Sequence, residues 1–287
     1  MERKPMLAPS HNASMAMFSS NLFEGDMADP NIGPGALLLH PAAVANAFGN
    51  ALRDRRRRWK DGIVPFTVSR NFNADQRAII AAAIADYHKY TCIKLVNRNK
   101  EKDYISIGPG SGCWSYVGYV GGEQTLSLGA ECFVKGVVIH ELMHALGIQH
   151  EQSRTDRDGY VKINFENILP GMEGNFQSYG SDEVDNLGLR YDYDSVMHYP
   201  EDGFSKNGKP TIVALEPNRN FGQRTGFSLN DVRKIWTYYE CKGKYPEPPP
   251  IKYCLDQYSN CDARDCKTSP WLNKPCRLTC KLCRKGT

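Results

Sequence analysis

The chain has 287 residues, 41% hydrophobic and 24% charged, which is room for one medium globular domain and something small at an end. No run approaches the roughly 18 apolar residues that a membrane span needs, so a spanning role is excluded. Net charge is only +4. The basic residues gather at Arg53, Arg55, Arg56, Arg57, Arg58 and Lys60, with Trp59 the one aromatic among them. Without aromatics interleaved through it, that run argues against nucleic-acid binding and reads as a solvated, protease-sensitive linker.

In chain order, residues 1–49 are poor in charge, rich in Ala, Met, Gly, Pro and Asn, and lack periodicity, so they read as an extended segment. Residues 50–243 carry dense alternating and helical patterns and form the globular core. Ile63 to Val68 reads as a first strand. Asn73 and Gln76 form a capping box that opens a helix with an apolar stripe through Ala78, Ile79, Ala82, Ala83 and Tyr87. Tyr104–Ile107 and Gln124–Leu128 are short strands. Phe133 to Leu146 reads as a second, strongly apolar helix, stopped by Gly147. Beyond it the chain reads as loops with scattered helical turns. Residues 244–253 are a stiff Pro-rich linker, and 254–283 a small cysteine module. The expected fold class is α+β, with a mixed sheet and two main helices.

The second helix carries His140, Glu141, His144, Gly147 and His150. His140 and His144 lie one turn apart and project toward one point. Gly147 can take a positive φ and break the helix, so the chain can return His150 to the same place. Three neutral imidazoles leave a tetrahedral zinc one open position, as a catalytic site requires. Glu141 is then within reach of a water there, as general base for peptide-bond hydrolysis. A lone histidine on an apolar helix is usually a packed one, but five identities fixed within eleven positions are not explained that way. His11, His40, His88 and His198 lack such spacing and read as structural.

The stretch from His140 to His150 matches the metzincin zinc signature. With Glu151 directly after it and Ser195-Val196-Met197-His198-Tyr199 downstream, it resembles the astacin family of zinc metalloendopeptidases over about Trp59 to Cys241. The resemblance implies a two-lobed catalytic domain holding one zinc ion and acting on protein or peptide substrates. It places Met197 in a turn beneath the metal and makes Tyr199 both a resting zinc ligand and the donor to the oxyanion. It has Glu151 anchor the new N-terminus of the mature enzyme. It makes Gln124–Leu128 the strand on the rim of the cleft, onto which substrate adds antiparallel, with Trp114 flanking that cleft. Phe23-Glu24-Gly25-Asp26 resembles the family's pro-segment switch, in which Asp26 ligates zinc where the catalytic water belongs. Removal of residues 1–49 by an activating protease would then start activity. The cut falls near Asn50 or Ala51 by length, or within Arg55–Arg58 by the basic run. Thr211–Leu215 has no Arg, so the acidic cleavage preference of several family members is not implied.

Ten cysteines, six from Cys254 onward, indicate an oxidising compartment. Residues 1–20 hold no apolar leader core, so secretion is inferred from the cysteines. The family resemblance pairs Cys92 with Cys241 and Cys113 with Cys132. The C-terminal spacing resembles the ShK toxin domain, implying Cys254–Cys283, Cys261–Cys276 and Cys266–Cys280. The Lys–Tyr pair of channel-blocking members is missing between the third and fourth of these cysteines, so a tethering or substrate-docking role with an unnamed ligand is expected. The competing reading is a toxin or binding protein acting mainly through this module.

Overall fold

The computed structural model describes residue 17 and residues 22–28, 51–179 and 185–243. The rest of residues 1–49, the expected linker 244–253 and the expected module 254–283 with its three expected disulfides lie outside the described residues.

In chain order the elements are strand β1 (Met27–Ala28), β2 (Ile63–Val68), helix α1 (Ala74–Tyr90), β3 (Lys94–Asn97), β4 (Tyr104–Gly108), β5 (Cys113–Tyr116), β6 (Glu123–Leu128), helix α2 (Lys135–Ala145), β7 (Val161–Ile163), β8 (Ile212–Ala214) and helix α3 (Leu229–Tyr238). The capping box at α1 is formed: Gln76 N–H donates to Asn73 Oδ1, and Asn73 N–H to Gln76 Oε1, both at 2.9 Å. The buried face of α1, Ile80, Ala83 and Tyr87, turns toward α2. There Tyr87 OH donates to Ile139 O at 2.8 Å. After Lys135, α2 is buried at every position, as its apolar composition demands. At Gly136 a Cβ would lie 2.0 Å from Arg224 O, so only glycine lets these two backbones meet.

The main sheet has the order β1-β5-β6-β4-β2-β3. The pairs β2–β3, β2–β4 and β4–β6 are parallel, and β5 runs antiparallel to β6. This corrects the expected rim strand. Gln124–Leu128 lies inside the sheet between β4 and β5, and it is β5, carrying half-buried Trp114, that meets β1. Strand order is set by pairing between distant segments, which the alternation within one strand does not encode.

The second half is more ordered than expected. Strands β7 and β8 pair antiparallel over an aromatic cluster of Phe176, Tyr191, Tyr193, Tyr199 and Phe204. Helix α3 is a third helix beyond the two expected. Its signals are a capping box between Ser228 and Asp231 and apolar Leu229, Val232, Ile235 and Trp236. Disulfides join Cys92 to Cys241 and Cys113 to Cys132.

The basic run is not a free linker, although Arg53, Arg55, Arg56 and Lys60 are exposed. Arg55 and Arg58 donate to Tyr238 O, the last carbonyl of α3, at 3.0 and 2.7 Å, where cations suit a helix C-terminus. Arg57 donates to Val117 O at 2.5 Å, and its carbonyl accepts from Tyr119 N–H at 2.7 Å. Arg55, Arg57 and Arg58 are thus tied into the folded domain, while Arg56 pairs with neighbouring Asp54 and its side chain stays 90% exposed.

Candidate active site

Helix α2 delivers His140 and His144 from one face. Gly147 then takes φ +94, which ends the helix and turns the chain so that His150 faces the same point. The Nε2 atom of His140 lies 3.0 Å from that of His144 and 3.2 Å from that of His150. Asp26 Oδ2 lies 3.1 and 3.3 Å from the Nε2 atoms of His140 and His150, and Oδ1 3.5 Å from that of His144. One ligand atom from each of these four buried residues falls within 4.8 Å of all the others.

The Nδ1 atoms point outward. His140 Nδ1 donates to Val196 O at 2.7 Å, and His144 Nδ1 to Ile148 O at 2.9 Å. His150 Nδ1 meets Glu24 Oε2 at 2.5 Å. With every Nδ1 committed, the clustered Nε2 lone pairs cannot satisfy one another, and a cation between them resolves the conflict. The field is suited to positive charge. Burial disfavours a charged His150, but Asp26 and Glu24 outweigh it and push that imidazole up to about 9. Burial opposes ionisation of Asp26, yet the facing His150 and His144 hold its carboxyl well below the usual range. The donor set fits zinc.

Glu141 is fully buried beside this cluster, and neither of its carboxylate oxygens has a hydrogen-bond partner. Burial, with the Asp26 charge adding and Arg224 opposing, raises its carboxyl well above normal. An orphaned carboxylate beside a ligand set is what a base waiting for its water requires. Met197 is buried in the core, and its carbonyl accepts from Glu151 N–H at 3.1 Å. The Tyr199 ring meets that of His150 edge-on at 4.7 Å, and its hydroxyl donates to Glu24 O at 2.7 Å. The Glu151 carboxylate accepts from Lys234 Nζ and from Asp192 N–H at 2.8 Å, with Arg154 at 3.5 Å.

Several neighbours were not found from sequence. Arg224 is fully buried; it donates to His198 O at 3.0 Å and reaches Met17 Sδ at 3.4 Å. Lys234, on α3, is 1% exposed. Glu24, noticed only as part of a motif, is fully buried. Lys234 follows Arg233 directly in the sequence, so nothing local marks it as the buried one of the two.

Three imidazoles and a carboxylate converge beside a mixed sheet, with a second carboxylate next to them, as a group that could hold a metal ion. The chain belongs to the astacin family of peptidases: residues 51–240 match the family described as Astacin. It is 45% identical over 232 residues to zinc metalloproteinase nas-13 of Caenorhabditis elegans, covering 79% of this chain and 52% of that one. It is 42% identical over 226 residues to zinc metalloproteinase nas-4 of the same organism, covering 75% and 72%. The solved structure of High choriolytic enzyme 1 from Oryzias latipes, a hatching enzyme zinc-protease, superposes with a TM-score of 0.64 at 39% identity, covering 67% of this chain and all of that one. The chain spans about half the length of nas-13, nas-15 and nas-14.

Proposed function

We propose that this chain is a zinc-dependent endopeptidase, made as a precursor that Asp26 keeps silent. One observation carries the reading: Asp26 stands among His140, His144 and His150 while the Glu141 carboxylate beside them has no partner. Zinc, when bound, supplies Lewis acidity for a water and for the scissile carbonyl. Glu141 takes the proton of the attacking water and returns it to the leaving amine. Tyr199, released from Glu24 O, donates to the oxyanion. Strand β5 offers its edge to an extended peptide. Strand β1 now occupies that edge in the parallel sense, with Ser115 N–H donating to Asp26 O at 2.9 Å.

Cleavage by an activating protease near Asn50 or Ala51 would free the cleft. That position is supported by the way the following residues are held: Leu52 N–H donates to Gly147 O at 3.1 Å, and Ala51 bridges Ile148. A new terminus there starts beside the helix exit that leads to Glu151, the proposed anchor. The two disulfides support secretion, and the cysteine module is assigned a docking role.

The test is hydrolysis of a quenched peptide by the protein cut free of residues 1–49. Activity should vanish with a chelator and with Glu141→Ala, the latter without loss of bound zinc. Full-length Asp26→Ala should show measurable activity without any cut, while the parent precursor shows almost none. Turnover by Glu141→Ala within tenfold of the parent would overturn the assignment of the base. Silence of Asp26→Ala would overturn the switch.

A further inference from the structure

Two of the three imidazoles in the metal cluster are held from behind by the domain's own backbone, through Val196 O and Ile148 O. The third is held by a charge, and the charge comes from the pro-segment: His150 Nδ1 meets Glu24 Oε2 at 2.5 Å. A receptor surrounds that carboxylate. Glu24 Oε1 accepts from Ser153 Oγ at 2.7 Å and from Tyr179 OH. The Glu24 N–H donates to Asn175 Oδ1 at 2.9 Å, and its carbonyl accepts from Tyr199 OH at 2.7 Å. The residue is fully buried and adopts φ +46, a left-handed conformation that a glutamate holds only when its surroundings impose it. Side chains from residues 150 to 199 thus converge on one position, two residues before the expected switch.

We propose that Glu24 is a second inhibitory element that acts behind the metal, as a removable carboxylate partner of His150 which strengthens the precursor's hold on zinc. The proposal rests on the reading of His140, His144 and His150 as zinc ligands and of residues 1–49 as a removable segment. An anionic acceptor on Nδ1–H makes an imidazole a more electron-rich ligand than a carbonyl acceptor does. Loss of such partners typically costs about 10- to 100-fold in metal affinity. A more electron-rich ligand set also leaves the metal a weaker Lewis acid. The carboxylate that secures zinc in the precursor therefore blunts it, and both effects leave with the segment. Ser153, Tyr179 and Asn175 are the positioning residues: the first two hold the carboxylate against His150 and the third holds the Glu24 backbone.

The test compares zinc dissociation constants, by competition with a chromophoric chelator, for the full-length parent, Glu24→Gln and Asp26→Ala. Glutamine keeps an acceptor and nearly the same shape but removes the charge. Glu24→Gln should weaken zinc binding by about 10-fold or more, and the absorption bands of the cobalt-substituted protein should shift relative to the parent. A mere strap would move neither readout. Zinc affinity within about twofold of the parent and an unchanged cobalt spectrum would overturn the proposal. If Asp26→Ala still lowered affinity in that case, the switch reading would stand alone. If Asp26→Ala changed neither affinity nor silence while Glu24→Gln weakened zinc, the switch would fall and the Glu24 role would stand. Should Glu24→Gln not fold, a synthetic peptide of residues 22–28 added to the cut enzyme supplies the measurement. The parent peptide should slow zinc loss more than the peptide carrying Glu24→Gln, and equal slowing would overturn the proposal.

Discussion

Lys234 brings its ammonium to Glu151 in a place closed to water. Burial disfavours the Glu151 charge, but Lys234 and then Arg154 outweigh it and lower the carboxyl. Removing one member of a buried pair strands the other, at a typical cost of about 3–5 kcal/mol. Lys234→Met should therefore lower the unfolding free energy by about 3 kcal/mol or more in denaturant titrations. A loss under about 1 kcal/mol would mean that Arg154 and Asp192 N–H satisfy Glu151 without it. His198 gives a pH test. Its Nδ1–H donates to Tyr199 O at 2.7 Å and its Nε2 accepts from Tyr191 OH at 2.6 Å, so the neutral ring is fully bonded. Burial drives its pKa from 6.5 to about 4. The unfolded chain then binds the extra proton between those values, so stability is complete above pH 6.5 and is lost as pH falls toward 4. The contribution is about 3 kcal/mol. The stability difference between the parent and His198→Gln should change by that order across the window; a flat difference would refute it.

At the scale of elements, α2 was legible because its histidine pair, Glu141 and stop signal are local: two imidazoles one turn apart and a glycine at φ +94. The role of Glu24 was not, because its receptor is assembled from Ser153, Asn175, Tyr179 and Tyr199 only after folding. The rim was misplaced by one strand for the same reason, since β6 and β5 differ in neighbours and not in pattern. Helix α3 was legible and missed: its cap and apolar spacing were present, but loop signals before it dominated. The basic run displayed its charges, while its acceptors at Val117 and Tyr238 lie far along the chain. Helix α2 also yields a packing prediction. In Gly136→Ala the new methyl would sit 2.0 Å from Arg224 O and 2.1 Å from Arg224 C, which are backbone atoms that cannot rotate away. Such overpacking should cost about 2–3 kcal/mol, read as a lowered melting temperature. An unchanged melting temperature would show that the loop carrying Arg224 yields freely.

For the whole molecule, the two disulfides are unequal. Cys92–Cys241 spans 149 residues of sequence and Cys113–Cys132 spans 19. Loop-closure entropy assigns about 5 kcal/mol to the first and about 3 kcal/mol to the second. Replacing Cys92 and Cys241 together by serine should cost more in denaturant unfolding than replacing Cys113 and Cys132. The opposite order would show that the short crosslink acts by holding β5 in place rather than by restricting the unfolded chain.

Strand β5 has a further consequence. Among the described residues, β1 is what pairs its outer edge, with Met27 opposite Ser115 and Ala28 opposite Tyr116. Take residues 1–49 away and a row of amide and carbonyl groups is left bare, with half-buried Trp114 and Tyr116 in the same strand. A naked sheet margin of this kind is a template for another chain. On the proposed reading, residues 1–49 would cap this edge against self-association as well as fill the cleft. A concentrated solution of the cut protein should scatter more light over time than the uncut protein, and a short peptide able to lie along β5 should suppress the difference.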